Sequence, residues 1–292
     1  MPEQSAQAFE QYRGQLFALA YRMLGSATDA EDIVQEAFVR WLQVNEQDVQ
    51  SPRAYLSTIV TRLCINQAES ARARREVYVG SWLPEPILTG PGAEGSEKVM
   101  RDETLSFAFL VMLEQLGPLE RAVFLLREVF EYDYPEIAAI VEKGEANCRQ
   151  IFHRAHQHLA SQSQPRYVAS REQQTRLTEQ FLRASTSGDM QGLLNLLTDD
   201  IVLVGDGGGK APSALKPVRG RDRVARGTTG GLRFFADLQV QIAEVNGQPA
   251  LVGYRDGQPC GVLICDIIDG QIGRIYTVVN PDKLNWLSGS AR

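Results

Sequence analysis

Asp29-Ala-Glu-Asp-Ile-Val-Gln-Glu-Ala-Phe-Val-Arg-Trp41 carries two stripes that a helix separates. Ala30, Ile33, Val34, Ala37, Phe38, Trp41 and Leu42 recur at three- and four-residue steps, the spacing that gathers them on one face. Asp29, Asp32, Gln35, Glu36 and Arg40 fill the other side. The apolar face packs inward, and the acidic face is left for water or for a basic partner.

Charge changes sign on either side of this helix. Residues 1–50 hold eight acids against three arginines, a local −5, whereas residues 51–76 hold five arginines against two acids, a local +3. The second stretch, Ser51-Pro-Arg-Ala-Tyr-Leu-Ser-Thr-Ile-Val-Thr-Arg-Leu-Cys-Ile-Asn-Gln-Ala-Glu-Ser-Ala-Arg-Ala-Arg-Arg-Glu76, predicts another helix, with Pro52 in its first turn. The first segment suits a basic partner and the second an acidic one.

The chain of 292 residues has a net charge of −6 and predicts two to three packed units. It has no apolar run of about eighteen residues, and Met-Pro-Glu-Gln-Ser at the start lacks the basic-then-apolar order of a signal peptide, so a cytoplasmic protein without membrane attachment is expected. Cys64, Cys148, Cys260 and Cys265 do not form ligand or disulfide spacings and read as reduced thiols. His153, His156 and His158 crowd one segment without a completing Cys or carboxylate, so no metal or cofactor is expected.

Three compositional segments follow one another. Residues 4–76 read as helical. Residues 77–101 read as a linker, with Pro84, Pro86 and Gly90-Pro91-Gly92, and with an apolar Trp82-Leu-Pro-Glu-Pro86. Residues 102–161 are helical again and end in a helix-turn-helix pattern. Asp133-Tyr-Pro-Glu136 is a capping-box start, Ile137, Ala138, Ile140 and Val141 give its buried face, and Gly144 marks the turn. The second helix carries Asn147, Arg149, Gln150, His153 and Arg154 outward, residue types that reach bases and phosphates.

From 170 to 287 the pattern changes class. Two helices, Arg171 to Ser187 and Met190 to Leu197, precede a strand at Ile201 to Val204. Asn246-Gly247, Asp256-Gly257 and Asp269-Gly270 then punctuate four apolar runs, the hairpin signals of an antiparallel meander in an α+β domain. Gly205-Asp-Gly-Gly-Gly-Lys210 reads as a loop after the first strand; it lacks the first glycine and the Ser or Thr of a phosphate loop.

The Asp29–Phe38 segment and the Ser51–Glu76 helix resemble region 2 of sigma-70 family factors of the extracytoplasmic-function (ECF) type. Leu116-Gly-Pro-Leu-Glu-Arg-Ala-Val-Phe-Leu-Leu-Arg-Glu-Val-Phe130, followed by Tyr134-Pro-Glu-Ile-Ala138, resembles region 4. The last domain resembles the SnoaL-like branch of the NTF2-like cone fold. Trp82-Leu-Pro-Glu-Pro86, Asp206-Gly-Gly-Gly-Lys210 and Asn280-Pro-Asp-Lys-Leu284 together resemble ECF factors with such a fused tail. The resemblance implies two all-α domains and an α+β cone domain. It implies an alternative sigma factor that binds core RNA polymerase and promoter DNA and is regulated by its own tail.

Residue by residue, it implies that Asp29, Asp32, Gln35 and Glu36 bind core polymerase. Arg53, Tyr55, Thr58, Arg62 and Asn66 face the minus-ten element, and Asn147, Arg149, Gln150, His153 and Arg154 face the minus-thirty-five element. The loop with Asp206 and Lys210, together with Asn280, Asp282 and Lys283, is expected to dock on the linker at Trp82 and Pro84. Because the positive patches are small, the isolated chain is expected to bind duplex DNA weakly and in a salt-sensitive way. The sequence departs from the family at Glu142-Lys143-Gly144-Glu145, where a Gly-apolar-Ser/Thr turn is usual, and at Arg62 and Asn66, where many ECF factors carry Asn and Asp.

Two other readings fit parts of the chain. One is a helix-turn-helix regulator whose cone pocket senses a small-molecule ligand. The other is a cone-fold enzyme, which would have to rely on Asp206, Asp266, Asp269 or Tyr276 because residues 170–287 contain no histidine.

Overall fold

A computed structural model of the chain describes residues 2–44, 49–89, 106–162, 169–233 and 238–287. Gly90-Pro91-Gly92 of the expected linker and residues 102–105 of the second helical segment lie outside these. The described residues group into two compact units, and the chain passes from one to the other more than once, after Glu76 and again inside α4 (Phe107–Leu113) among other places.

The first unit is helical. α1 (Pro2–Leu24), α2 (Ala27–Trp41) and α3 (Pro52–Glu76) pack on Leu16, Leu19, Met23, Ala30, Val34, Leu56 and Val60, all within 2 % of full burial. The Ser26 side chain accepts from Asp29 N at 3.1 Å and starts α2, satisfying one of the orphan donors of its first turn. Trp41 ends α2 fully buried, its indole N–H donating to Ser5 O at 2.8 Å. Leu42, expected on the apolar face, is instead exposed, because it falls in the C-cap position where the helix has stopped.

α5 (Pro118–Glu128), α6 (Tyr134–Val141) and α7 (Glu145–Gln162) complete this unit. The capping box at α6 is reciprocal: Glu136 N donates to Asp133 Oδ1 and Asp133 N to Glu136 Oε2, both at 2.9 Å. The turn into α7 differs from the reading at Gly144. The left-handed residue is Glu142 (φ 54°), which ends α6 with its N–H on Ala138 O. A non-glycine residue there costs roughly 1 kcal/mol.

The second unit contains residues 77–89 and the C-terminal α+β domain. α8 (Arg171–Ser187) is capped by Ser170 and α9 (Met190–Leu196) by Asp189. They are followed by β1 (Leu197–Asp206), β2 (Val218–Arg219), α10 (Arg221–Arg233), β3 (Gln239–Val245), β4 (Gln248–Arg255), β5 (Gln258–Ile268) and β6 (Gln271–Val278). The sheet order is β2-β1-β6-β5-β4-β3. β3 to β6 form the expected antiparallel meander, and β1 joins β6 in parallel.

The three hairpins turn at Asn246-Gly247, Asp256-Gly257 and Asp269-Gly270, with all six residues at positive φ. That is the geometry of the primed turn whose twist matches the flanking strands. β1 reaches four residues before and two after the strand read from sequence, so Asp206 is its last residue rather than part of the loop. β2 and α10 were not read from the sequence, which gave no element between the Gly205–Lys210 loop and the run that becomes β3.

Both faces of the central strands β4, β5 and β6 are largely buried, which explains why they read as apolar runs instead of alternating ones. Leu251, Leu263, Cys265 and Ile275 share the side that packs against Leu177, Phe181, Leu193, Val224 and Ala225 of α8, α9 and α10. The alternate residues Ala250, Val252, Val262, Ile264, Tyr276 and Val278 point the other way and are at most 3 % exposed. On this second side the Phe107 ring packs on Tyr276 at 5.5 Å.

Candidate functional site

The acidic face of α2 is presented, with one exception. Asp32, Gln35 and Glu36 are exposed, and Arg40 pairs with Glu36 one turn away at 2.9 Å. Asp29 is half-buried, and its Oδ1 accepts from Gln67 Nε2 of α3 at 3.1 Å. The first-turn position that gives Asp29 its capped amide also turns its carboxylate toward the neighbouring helix. Val39 and Leu42, exposed beside Glu36 and Arg40, add apolar surface that sequence reasoning had not assigned to this face.

The five candidates on α3 divide by partner. Thr58 Oγ1 donates to Ala54 O at 2.7 Å, Tyr55 is half-buried against the Trp41 ring, and Asn66 is exposed. Arg53 and Arg62 bind elsewhere in the same unit. Arg53 Nη2 donates to Phe130 O at 2.9 Å, with its guanidinium 4.7 Å from the Tyr132 ring centroid. Arg62 donates to Ile140 O at 3.0 Å and Ala139 O at 3.2 Å, two carbonyls at the C-terminus of α6, and pairs with Glu142 at 3.0 Å. Tyr132 OH donates to Ser57 Oγ at 2.8 Å, and Arg121 Nη1 to Met23 O at 2.7 Å. Two departures from the family pattern, Arg62 and Glu142, thus meet each other.

On α7, Asn147, Arg149, Gln150, His153 and Arg154 are all exposed, while Cys148, Ile151, Ala155 and Leu159 face the core. Arg149 is oriented by Glu145 at 3.1 Å and by the Tyr134 ring at 4.3 Å; Arg154 approaches Glu120 at 3.9 Å. Cys64 and Cys265 are free and fully buried. Burial and then the Asp266 carboxylate push the Cys265 thiol up to about 12, so it stays protonated.

The second unit concentrates its polar burial at one point. Asp206 is completely buried and accepts from Tyr78 OH at 2.6 Å, Leu83 N at 2.8 Å and Lys283 Nζ at 2.7 Å. Lys283 Nζ also donates to Leu83 O at 2.5 Å and lies 4.1 Å from the Trp82 ring and 5.1 Å from the Tyr78 ring. Asn280 Nδ2 donates to Tyr78 OH at 2.8 Å. Farther along, Ile87 pairs with Asn246 through both its N–H and its carbonyl, and Leu88 bridges to Val245 on the edge strand β3. Pro84 and Pro86 are buried.

Lys210 and Asp282 depart from the expected docking on the linker. They pair with each other at 2.5 Å and are more than half exposed, because the loop turns back on itself through Gly208 and Gly209. Gly208 (φ 59°) has the clearer need for glycine: a Cβ there would lie 2.4 Å from Asn280 Nδ2 and 3.0 Å from Tyr78 OH. Sequence reasoning missed Tyr78, Asn246 and Thr89. An aromatic residue just outside the Trp82–Pro86 run was the available signal for the first. Thr89 Oγ1 donates to Glu244 and accepts from Gly247 N, contacts that no local pattern announces.

Burial first, then the hydrogen bond and charge of Asp206, raises the Tyr78 phenol above its ordinary value of about 10. Its donor role therefore contributes fully below that ordinary value and is lost only as pH climbs through the higher folded value. In a spectrophotometric titration Tyr78 ionises after ordinary phenols, and Tyr78→Phe removes that late step. An unchanged titration would overturn the assignment.

The sigma-70 region 2 family matches residues 8–74, and the sigma-70 region 4 family matches residues 106–159. The chain belongs to the ECF RNA polymerase sigma factor family. It is 35 % identical over 289 residues to the ECF RNA polymerase sigma factor SigJ of Mycobacterium tuberculosis, covering 94 % of this chain and 91 % of that one. It is 34 % identical to a protein of the same organism described as "Probable ECF RNA polymerase sigma factor SigI", covering 96 % and 94 %. The crystal structure of M. tuberculosis SigJ superposes with a TM-score of 0.79 at 32 % identity, over 98 % of this chain and 99 % of that chain. Among the described residues no helix is long and apolar enough to cross a membrane.

Proposed function

We propose that this sigma factor recruits core RNA polymerase through Asp32, Gln35 and Glu36, and reads promoter DNA through α3 and α7. In this reading the fused domain restrains the two DNA-reading parts by holding the linker between them. The buried Asp206, bound to three groups that include Tyr78 and Leu83 of the linker, is the observation that carries the regulatory part. The 30 residues between Glu76 and Phe107 span at most about 100 Å when extended. Minus-ten and minus-thirty-five elements lie roughly 85 Å apart, at about 3.4 Å per base pair. Holding residues 78–89 on the sheet withdraws up to about 40 Å of that reach. Covalent attachment makes such docking effective at modest intrinsic affinity. The reading needs no ligand, since Asp206, Val245 and Asn246 of the domain itself hold the linker.

The contacts of Arg53 and Arg62 fit the same scheme. While they bind carbonyls of the region 4 segment they are not available to DNA, and the packed unit cannot place α3 and α7 on two elements so far apart. Dyes at Glu69→Cys and Gln157→Cys, both exposed positions, should show efficient energy transfer in the free chain. Arg53→Ala combined with Arg62→Ala should lower it, and core polymerase should lower it further; transfer insensitive to both removes this part of the proposal.

Co-purification with core polymerase followed by run-off transcription tests the main reading. Co-purification without initiation would instead favour a polymerase-binding regulator of another kind. The helix-turn-helix regulator alone does not account for the exposed acidic face of α2.

A further inference from the structure

We infer that Lys216, Arg219, Arg223 and Arg226 form a phosphate-binding surface of the fused domain that grips duplex DNA without reading its sequence. Between Lys216 and Arg233 the chain carries six basic residues and one acid, a net of +5 within a protein of net −6. The remainder of residues 170–287 holds seven basic and twelve acidic residues, so the charges of this domain are segregated instead of interspersed. Neither DNA-reading segment is as positive, α3 reaching only +3 over residues 51–76.

The fold turns this composition into a surface. Val224, Ala225 and Thr228 of α10 are buried, which forces Arg223 and Arg226 to the opposite side. Lys216 and Arg219, on the segment leading into the helix, are exposed as well. Arg221 is taken by Asp199 at 2.8 Å, but among the described residues no ion pair joins the other four. An ordinary solvated face mixes signs; this one leaves its cations unneutralised. Gly227, exposed in mid-helix, has open space where a side chain would sit. A helical glycine costs about 1 kcal/mol relative to alanine. Internal packing gives no reason for it, whereas close approach of a partner's backbone does.

Duplex DNA is the occupant these features favour. Arg223 and Arg226, one turn apart on the helix, and Lys216 and Arg219 just before it offer four cations to a polymer that carries a charge every 1.7 Å or so. Family membership supplies the reason for choosing DNA over other polyanions. The inference is independent of the linker reading, and it adds phosphate-binding groups that the small patches on α3 and α7 lack.

The test combines Lys216→Ala, Arg219→Ala, Arg223→Ala and Arg226→Ala in the full chain, and follows duplex binding against salt with and without core polymerase. The salt slope should fall by about 0.9 for each phosphate that is no longer neutralised, up to roughly 3.6. Affinity near 0.1 M salt should fall at least tenfold, equally on promoter and scrambled duplex. Lysine at all three arginine positions, with Lys216 kept, should preserve binding. An unchanged slope marks a solvated face and overturns the inference. So does a loss confined to polymerase association without DNA, which marks a protein-binding surface, or a loss confined to promoter sequence, which marks base reading.

Discussion

Asp206→Ala should release residues 78–87 from the sheet, with amide exchange at Leu83 and Ile87 rising by on the order of a hundredfold or more. The substitution removes the acceptor of Tyr78 OH and Leu83 N and strands the Lys283 ammonium, which is itself buried. Breaking a buried pair by deleting one partner costs about 3 to 5 kcal/mol, most of it the penalty of the charge left behind. Asp206→Asn separates charge from shape, since the amide can still accept from Leu83 N while Lys283 loses its counter-charge. Adding Lys283→Met to Asp206→Asn removes both charges and should recover part of the loss in a double-mutant cycle. Transcription should change in the same direction for Asp206→Ala and Lys283→Met on several promoters. Lys210→Ala, which breaks only the exposed pair with Asp282, should do far less. Transcription unaffected by Asp206→Ala, with the linker shown to be free, would rule out the restraint.

Asp32→Lys combined with Glu36→Lys should weaken association with core polymerase by about a hundredfold or more, because juxtaposed like charges cost several kcal/mol. Both side chains are exposed, so the fold should be retained, and circular dichroism of the variant checks this. Asp29→Asn should affect polymerase binding less than either, since Asp29 is turned toward Gln67. The loss should shrink with rising salt for the native chain and the variant alike as the charges are screened. Equal binding by the native and reversed chains would dismiss this face as the docking site.

Much of the fold is written in short stretches of sequence. The stripe from Ala30 to Trp41, the capping box at Asp133 and the three Asn-Gly or Asp-Gly turns each specify their own geometry. α10 was illegible for the opposite reason: with Gly227, Gly230 and Gly231 it has little helical propensity, and burial of Val224, Ala225 and Thr228 holds it in place. Asp206 was placed by the sequence in a glycine-rich loop expected to dock on the linker; its complete burial at the end of β1 makes it the centre of the clamp.

The sequence by itself determined most of the helices, the hairpins and the class of protein, because caps, turns and periodicity act over a few residues. Only the tertiary structure decided which charged groups are free and which are spent. Tyr78 meets Asp206 across 128 positions of chain, and Arg62 meets Ile140 across 78. Such pairings depend on which surfaces the folded chain removes from water together, and that is a property of packing, not of any local pattern.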